Sequence, residues 1–289
     1  LQFNQQTDMD KNTFESAPYL AGVIGHPISH SKSPKLHNYW LSKHNIKGYY
    51  VPFSITTEKL KNSIKSLMDL GFKGVNITIP HKTNVLSLVD SVTDRAALIG
   101  AANTLYFSKN GKIHADNTDG YGFIQNIIDE IPDYDFYDKT AIIYGAGGSA
   151  RAIASALISN GVKEIGITNR TRSKAQIISE NLGAKVSVID WRTAPETLAT
   201  VDIIINATSM GMVGQPEFSQ PISRAKKTAV VVDIVYNPLE TNLLKQAEQL
   251  KLKGVGGIGM LINQAVPGFE HWFQKTPEID DYIRRFIVE

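Results

Sequence analysis

A glycine-rich turn, Gly145-Ala-Gly-Gly-Ser-Ala-Arg151, constrains the fold most, because it follows the β-rich run Thr140–Tyr144 and opens an Ala-rich helical run. A strand, such a turn and a helix are typical of dinucleotide-binding folds, in which the helix N-terminus points free N–H groups at phosphates. No Gly-Lys-Ser/Thr follows, which excludes a Walker-type loop. The alternative is an ordinary tight turn between strand and helix, which the surrounding pattern disfavours.

The next predicted strand, Glu164–Thr168, indicates which dinucleotide the turn binds. It is followed by Asn169-Arg-Thr-Arg-Ser-Lys174, a run with three cations and no carboxylate. An NAD site usually places Asp or Glu here to bind the ribose 2′-hydroxyl, whereas arginine can bind a 2′-phosphate. A merely solvated basic helix start is disfavoured because cations oppose the dipole at a helix N-terminus. The sequence therefore predicts NADP(H).

Short β-rich runs alternate with helical runs twice along the chain. The first series predicts strands at 20–24, 49–53 and 75–79, helices at 34–44 and 58–70, a hairpin at 103–107 and 112–115, and a helix from Asp119 to about Glu130. The second series predicts strands at 140–144, 164–168, 186–189, 202–206 and 229–233, with helices at 148–160 and 173–182. Such alternation favours α/β domains with open parallel sheets. We therefore predict an open α/β domain followed by a Rossmann-type, doubly wound domain.

Length and composition limit the class of protein further. At 289 residues the chain predicts two domains, and its net charge of +2 is too small and too evenly spread for a nucleic-acid or membrane footprint. Cysteine is absent, which excludes disulfides, thiol nucleophiles, cysteine-ligated zinc and iron–sulfur clusters. The seven histidines show no metal-ligand spacing, so we expect no metal site. These features predict a soluble, cytoplasmic protein that binds neither nucleic acid nor membrane.

The two ends of the chain carry separate expectations. Residues 1–16 are polar and lack the apolar core of a signal peptide, so we expect a flexible tail there. Residues 260–273 and on to 288 have a helical pattern, which we expect to pack back on the first domain. Pro267 falls inside that pattern and predicts a kink. The predicted division is 1–16 as tail, 17–119 and 120–257 as two domains, and 258–289 as C-terminal helices returning to the first domain.

Polar residues cluster at the predicted carboxyl ends of the first domain's strands, where ligands of open α/β sheets bind. Ser31 and Ser33 follow the first strand and can hold hydroxyls or a carboxylate, or Ser33 is merely the N-cap of the next helix. Asn76 and Thr78 share one face of the third strand, and Lys82 follows it.

Asp119, at a predicted helix N-terminus, completes this set. If Lys82 and Asp119 meet, they form a proton-transfer pair. Taken alone, Lys82 is better interpreted as a surface lysine at a helix start. Only the whole set of polar residues at this edge favours a functional role for it.

These motifs together carry a resemblance to a known family. They are Gly25-His-Pro-Ile-Ser-His-Ser-Lys-Ser-Pro34, Asn76-Ile-Thr-Ile-Pro-His-Lys82, Gly100-Ala-Ala-Asn-Thr104, Asp116-Asn-Thr-Asp-Gly120, the glycine turn, Asn169-Arg-Thr171, Ile205-Asn-Ala-Thr-Ser209, Asp233-Ile-Val-Tyr-Asn-Pro238 and Gly256-Gly-Ile-Gly-Met-Leu261. The chain resembles, over about residues 20–273, the shikimate dehydrogenases, NADP-dependent oxidoreductases that reduce 3-dehydroshikimate to shikimate in aromatic amino-acid biosynthesis.

The resemblance implies a role for each matching position. Lys82 corresponds to the family's catalytic lysine and Asp119 to its partner. The implied substrate contacts are Ser31, Ser33, Thr78, Asn103, Tyr236 and Gln264. The implied NADP contacts are Asp94, Gly145, Ala146, Gly147, Gly148, Ser149, Asn169, Arg170, Thr171, Lys174, Ile234 and Gly257. Lys174 stands where the family often has arginine, which puts its part in binding the adenosine phosphate in doubt.

The resemblance also implies a mechanism and leaves alternatives open. A hydride moves between the nicotinamide and C3 of the ring, while a proton moves between the C3 oxygen and Lys82 with Asp119 as partner. One alternative is a quinate/shikimate dehydrogenase that accepts other acids or NAD. The other, from a different class, is a non-catalytic NADP-binding regulator. The expected partners are the small-molecule substrate and, at most, a second copy of the chain, as a monomer or homodimer.

Overall fold

Two sheets of six strands each organise the computed structural model, which describes residues 17–288. The predicted tail at 1–16 lies outside the described residues. The elements of the first half are β1 (Tyr19–Gly25), α1 (Ser33–Lys43), β2 (Gly48–Ser54), α2 (Leu60–Asp69), β3 (Gly74–Ile77), β4 (Ser91–Val92), α3 (Asp94–Ile99), β5 (Thr104–Phe107), β6 (Ile113–Asp116) and α4 (Asp119–Glu130).

The second half begins with the predicted strand–turn–helix. Its elements are β7 (Thr140–Tyr144), α5 (Gly148–Ser159), β8 (Glu164–Thr168), α6 (Arg172–Leu182), β9 (Val186–Val188), α7 (Ala194–Thr197), β10 (Ile203–Asn206), β11 (Val230–Asp233), α8 (Asn242–Gln249), β12 (Lys253–Val255), α9 (Ile258–Phe273) and α10 (Asp281–Phe286).

The first sheet has the strand order β2-β1-β3-β5-β6-β4 and is mixed. Strands β1, β2 and β3 are parallel, as predicted, whereas β5 runs antiparallel to both β3 and β6. The parallel prediction therefore holds for the three strands to which it was applied. The predicted hairpin β5–β6 pairs with β3 and makes the sheet mixed.

The second sheet is parallel throughout, with the order β12-β11-β10-β7-β8-β9. Counted from β7, this is the order 6-5-4-1-2-3 of a dinucleotide-binding sheet, so the prediction of a Rossmann-type domain is confirmed. Side chains of β7 alternate between two cores: Ile143 packs in one cluster and Ile142 in the other. Burial on both faces is the reason such strands are apolar throughout.

The C-terminal helix α9 packs on elements of the first sheet. Phe269 and Trp272 share a buried cluster with Val23 of β1 and Trp40 of α1. The indole nitrogen of Trp272 donates a hydrogen bond to the carbonyl of Leu105, 3.2 Å away. Helix α9 ends at Phe273 and a separate short helix, α10, follows, so the segment with the predicted helical pattern forms two helices. Pro267 lies inside α9, and the kink stays a prediction.

Two further local features differ from expectation or were missed. Helix α1 begins at Ser33 and no side chain caps it, so Ser33 is not the N-cap. Helix α3 was not predicted, although Thr93 caps its start and Gly100, at a φ of 68°, ends it. No helix within residues 17–288 is long and apolar enough to cross a membrane.

Candidate functional site

A cavity of about 180 Å³ lies between the first sheet, the start of α5, the loop after β11 and helix α9. It contains all six predicted substrate contacts and both predicted catalytic residues. Its polar lining consists of Ser31, Ser33, Asn76, Thr78, Lys82, Asn103, Asp119, Ser149, Tyr236 and Gln264. The structure therefore brings together residues that are up to 233 positions apart in the chain.

Lys82 and Asp119 are in contact at the centre of this cavity. The ammonium of Lys82 donates to Oδ2 of Asp119, and their side chains are only 15% and 5% exposed. Lys82 follows the end of β3, where its carbonyl accepts a hydrogen bond from the N–H of Ala102. Asp119 is the first residue of α4, where the helix dipole favours a negative charge. The pair is a buried acid and base that can exchange a proton with a bound ligand.

Asp119 has two more side-chain donors. Asn103 donates from Nδ2 to its Oδ1 at 2.7 Å, and Ser149 donates from Oγ to its Oδ2 at 3.3 Å. Gln264 accepts from the same Nδ2 of Asn103 at 3.2 Å. Because an ionised carboxylate accepts hydrogen bonds at both of its oxygens and donates none, this set of donors suits the charged form of Asp119.

Glycines on α4 allow these groups to approach each other. A side chain at Gly120 would lie 2.9 Å from the carbonyl oxygen of Ala152 on α5, and one at Gly122 would lie 2.7 Å from the backbone of Gln264 on α9. Distances below 3 Å leave no room for a Cβ atom. The two glycines therefore bring α5 and α9, with Ser149 and Gln264, close to Asp119.

Ser31 and Ser33 lie at the edge of the cavity beyond β1. The Oγ atom of Ser31 accepts a hydrogen bond from the N–H of Ser33 at 3.4 Å, and Ser33 is 8% exposed. Because Ser33 does not cap α1, its hydroxyl is available to a ligand. The capping interpretation of this pair, left open by the sequence, does not apply.

The wall opposite the first sheet follows β11. Ile234, Tyr236 and Gly257 all line the cavity. A Cβ atom at Gly257 would lie 2.2 Å from the carbonyl oxygen of Ile234, so the two segments are in direct contact. Burial raises the pKa of the Tyr236 phenol, which keeps it a neutral hydrogen-bonding group.

The glycine turn lies next to Lys82. Gly145 has a φ of 119°, and Gly147 is exposed, with no atom within 4 Å of the point where a Cβ atom would stand. Ala146 is half-buried beside them. Helix α5 begins at Gly148, whose Cβ position would lie 3.5 Å from Cδ of Lys82. A phosphate bound at this helix N-terminus would therefore lie next to the cavity.

The cationic segment starts at the neighbouring strand end. Strand β8 pairs with β7 so that Thr168 lies opposite Tyr144, and the N–H of Gly145 donates to the carbonyl of Thr168 at 2.8 Å. Asn169 is held by a hydrogen bond to the carbonyl of Thr171 at 2.9 Å. Exposed cationic side chains follow, namely Arg170, Arg172 and Lys174.

None of these cations forms an ion pair with a carboxylate within residues 17–288. Exposed, unpaired cations beside a phosphate-binding turn fit a second phosphate group, and hence the adenosine end of NADP.

Asp94 is a predicted cofactor contact that the cavity does not include. It is exposed at the first position of α3, where its neighbour Arg95 forms an ion pair with Asp116. Hydrogen bonds from Arg95 and Thr93 hold the pKa of the Asp116 carboxyl below its usual value, against the effect of desolvation. Within residues 17–288, no group of three or more histidines and carboxylates is arranged to hold a metal ion.

Two further groups were not named among the predicted contacts. Asn76, which the sequence placed with Thr78 at the polar edge of the first sheet, lines the cavity. Asp233, fully buried at the end of β11, accepts hydrogen bonds from Nδ2 of Asn206, the N–H of Val235 and Oγ1 of Thr241, at 2.9, 3.0 and 2.7 Å. Burial raises its pKa to about 6, although these donors act to lower it.

Two family models match the chain. Residues 23–105 match the shikimate dehydrogenase substrate-binding domain, and residues 127–252 match shikimate / quinate 5-dehydrogenase. A shikimate dehydrogenase (NADP(+)) of Cereibacter sphaeroides is 49% identical over 269 residues, which are 93% of this chain and 96% of the relative.

Solved structures agree with this match. A crystal structure of a shikimate dehydrogenase in complex with NADP+ is similar with a TM-score of 0.85 at 37% identity, covering 94% of this chain and 95% of the other. A quinate dehydrogenase from Corynebacterium glutamicum in complex with NAD is similar with a TM-score of 0.86 at 30% identity, covering 94% and 99%. With its two domain models matched and its relatives covered almost end to end, the chain belongs to the shikimate dehydrogenase family.

Proposed function

We propose that the protein catalyses the reversible NADP-dependent conversion of 3-dehydroshikimate to shikimate. The observation that carries this proposal is the buried contact between Lys82 and Asp119, in a cavity lined by hydroxyl and amide groups and next to the glycine turn. The relatives named for this activity and cofactor support the same assignment.

Both ligands are six-membered rings with one carboxylate. Shikimate has three hydroxyls, and 3-dehydroshikimate has two hydroxyls and one ketone. The hydroxyls of Ser31 and Ser33 bind the carboxylate, since both are donors at one edge of the cavity. Thr78, Asn103, Tyr236 and Gln264 bind the ring oxygens. These contacts orient C3 of the ring toward Lys82.

Lys82, with Asp119 as its partner, transfers the proton of the reaction. In the reductive direction the ammonium of Lys82 donates a proton to the C3 oxygen, and in the oxidative direction the amine takes it back. Asp119 orients the lysine through the contact between their side chains and accepts a hydrogen bond from a substrate hydroxyl. The pair is shielded from water by its low exposure, which strengthens both interactions.

The chain supplies a cradle for the cofactor. Gly145, Ala146, Gly147, Gly148 and Ser149 bind the pyrophosphate, while Asn169, Arg170, Thr171 and Lys174 bind the adenosine phosphate. Ile234 and Gly257 form the wall of the nicotinamide half. The resemblance implies Asp94 as a further contact of that half, although Asp94 does not line the cavity. When bound, NADP(H) supplies the hydride that is exchanged with C3.

The domain division is also a proposal. We assign substrate binding to residues 17–119, NADP binding to 120–257 and a return onto the first domain to 258–289, which the packing of α9 on β1 supports. Closure of the cleft between the domains would exclude water from the reaction. Apo and ternary structures with equal cleft widths would contradict closure. Cytoplasmic location and a monomeric or homodimeric state stay predictions.

Steady-state rates with purified protein test the proposal. Absorbance of the reduced nicotinamide is followed with shikimate or quinate as substrate, and with NADP or NAD as cofactor. We expect the highest kcat/KM with shikimate and NADP. A higher kcat/KM with NAD contradicts the cofactor assignment, and a higher value with quinate makes the protein a quinate/shikimate dehydrogenase. If the protein bound NADP but turned over neither acid, the result would favour the alternative of a non-catalytic NADP-binding regulator.

A further inference from the structure

A chain of buried hydrogen bonds leads from the first-domain core to Asp119. The hydroxyl of Tyr50 on β2 lies 2.6 Å from Oδ1 of Asn76 on β3. Nδ2 of Asn76 lies 3.0 Å from the carbonyl oxygen of Asn103 and 3.1 Å from Oγ1 of Thr104. Thr104 in turn donates to Oδ1 of Asn103 at 2.9 Å, and Nδ2 of Asn103 donates to Asp119.

The direction of each bond is fixed by groups that can only donate or only accept. The carbonyl of Asn103 only accepts, so the NH₂ group of Asn76 must face it. Oδ1 of Asn76 therefore faces Tyr50, whose hydroxyl must donate. The N–H of Thr118 only donates, at 2.9 Å from Oδ1 of Asn103, so the NH₂ group of Asn103 must face Asp119.

Burial makes this chain costly to break. Tyr50, Asn76, Asn103 and Thr104 are at most 6% exposed, so a lost partner leaves a buried polar group unpaired. The ring of Tyr50 stacks on His37 at 4.0 Å between centroids and 1° between planes. His37 is fully buried, and burial lowers its pKa to about 3, so it is neutral. With an uncharged ring on its face, Tyr50 directs its hydroxyl to Asn76 alone among the described residues.

We propose that Tyr50 is a positioning residue for the reaction. Its hydroxyl holds Oδ1 of Asn76 in place. Asn76 and Thr104 then support Asn103 together with the N–H of Thr118, and Asn103 holds Asp119 in line with Lys82. The inference rests on the proposed function, because Asp119 acts there as the partner of Lys82. Among the hydrogen bonds of residues 17–288, none joins the Tyr50 hydroxyl to Lys82 or Asp119, so Tyr50 acts through the amides between them.

The variant Tyr50→Phe removes the first donor and leaves Oδ1 of Asn76 buried without a partner. We expect its kcat for shikimate oxidation with NADP to fall about fivefold or more, with NADP affinity unchanged. The matched control is Tyr144→Phe, since the Tyr144 hydroxyl is buried without any hydrogen-bond partner among the described residues and its loss breaks no bond. The control should retain wild-type kcat within about twofold.

A double-mutant cycle separates positioning from a general structural effect. In an Asp119→Asn background, Tyr50→Phe should change the remaining kcat by less than about twofold, because the carboxylate it positions is gone. Equal losses in both backgrounds, or a Tyr50→Phe enzyme as active as Tyr144→Phe, would overturn the inference. Thr104→Val, which removes the hydroxyl between the two amides, carries the same test if Tyr50→Phe does not fold. Absence of turnover in the wild type would instead contradict the proposed function.

Discussion

Nδ2 of Asn206 donates a hydrogen bond to Oδ1 of Asp233, 2.9 Å away, and so joins the ends of the neighbouring strands β10 and β11. Oδ1 of Asn206 also accepts from the hydroxyl of Thr208 at 2.6 Å, which anchors the loop after β10. The N–H of Val235 binds Asp233 and anchors the loop that carries Tyr236. Two fully buried side chains thus hold the loops that follow β10 and β11, and the second of these loops lines the cavity.

Asp233 should make folding stability depend on pH. Its native pKa of about 6 lies above the ordinary aspartate value of about 3.9, so the native state holds this proton more tightly than the unfolded chain. The resulting stability is present below about pH 4 and is lost as pH rises through about 6. The free energy of unfolding of the wild type minus that of Asp233→Asn should fall by about 2 kcal/mol between about pH 4 and 7.

Urea denaturation at several pH values measures this difference. Asp69→Asn, the same exchange at an exposed position of α2, is the matched control. A difference for Asp233→Asn that varies with pH no more than that for Asp69→Asn would show that Asp233 does not titrate in this range.

Arg170 should set the preference for NADP. Its exposed guanidinium has no carboxylate partner within residues 17–288 and follows the strand beside the glycine turn. Arg170→Ala should raise KM for NADP about 10- to 100-fold, as expected for loss of a charge-assisted hydrogen bond to phosphate, and leave KM for NAD within about twofold. Arg192→Ala, another arginine of the same domain, is the control. An equal rise in KM for both cofactors would contradict a role in binding the 2′-phosphate.

Trp272 should be essential for docking the C-terminal helix. It is 1% exposed, and its indole fills the core between α9 and the first sheet while donating to Leu105. Trp272→Ala should lower the free energy of unfolding by about 3–5 kcal/mol, measured by chemical denaturation. Tyr137→Ala removes an aromatic ring that is 74% exposed and should cost less than about 1 kcal/mol. A comparable cost for both variants would contradict the docking role.

Local sequence patterns predicted much of this architecture, because most strands, turns and helices are determined by residues that are close together in the chain. The glycine turn, the absence of a carboxylate after β8 and the hairpin β5–β6 were all readable as short motifs. Helix α8 was missed although Thr241 caps it and would have marked its start.

The contacts that build the site could not be predicted in the same way. That Asn103 meets both Asp119 and Gln264 depends on how α4 and α9 pack, which no local period encodes. The partners of Asn76 could not be predicted either. Its amide forms hydrogen bonds with Tyr50, Asn103 and Thr104, whereas the sequence suggested only a ligand as the reason for a polar residue there.

Turnover of Lys82→Ala with shikimate and NADP tests the central claim most directly. The account predicts that kcat falls by about 10²- to 10⁴-fold, because proton transfer at the C3 oxygen is lost, while KM for shikimate stays within a few-fold. Lys65→Ala, a lysine exposed on α2, should keep the wild-type rate. If Lys82→Ala turned over shikimate at the wild-type rate, Lys82 would not be the acid and base of the reaction.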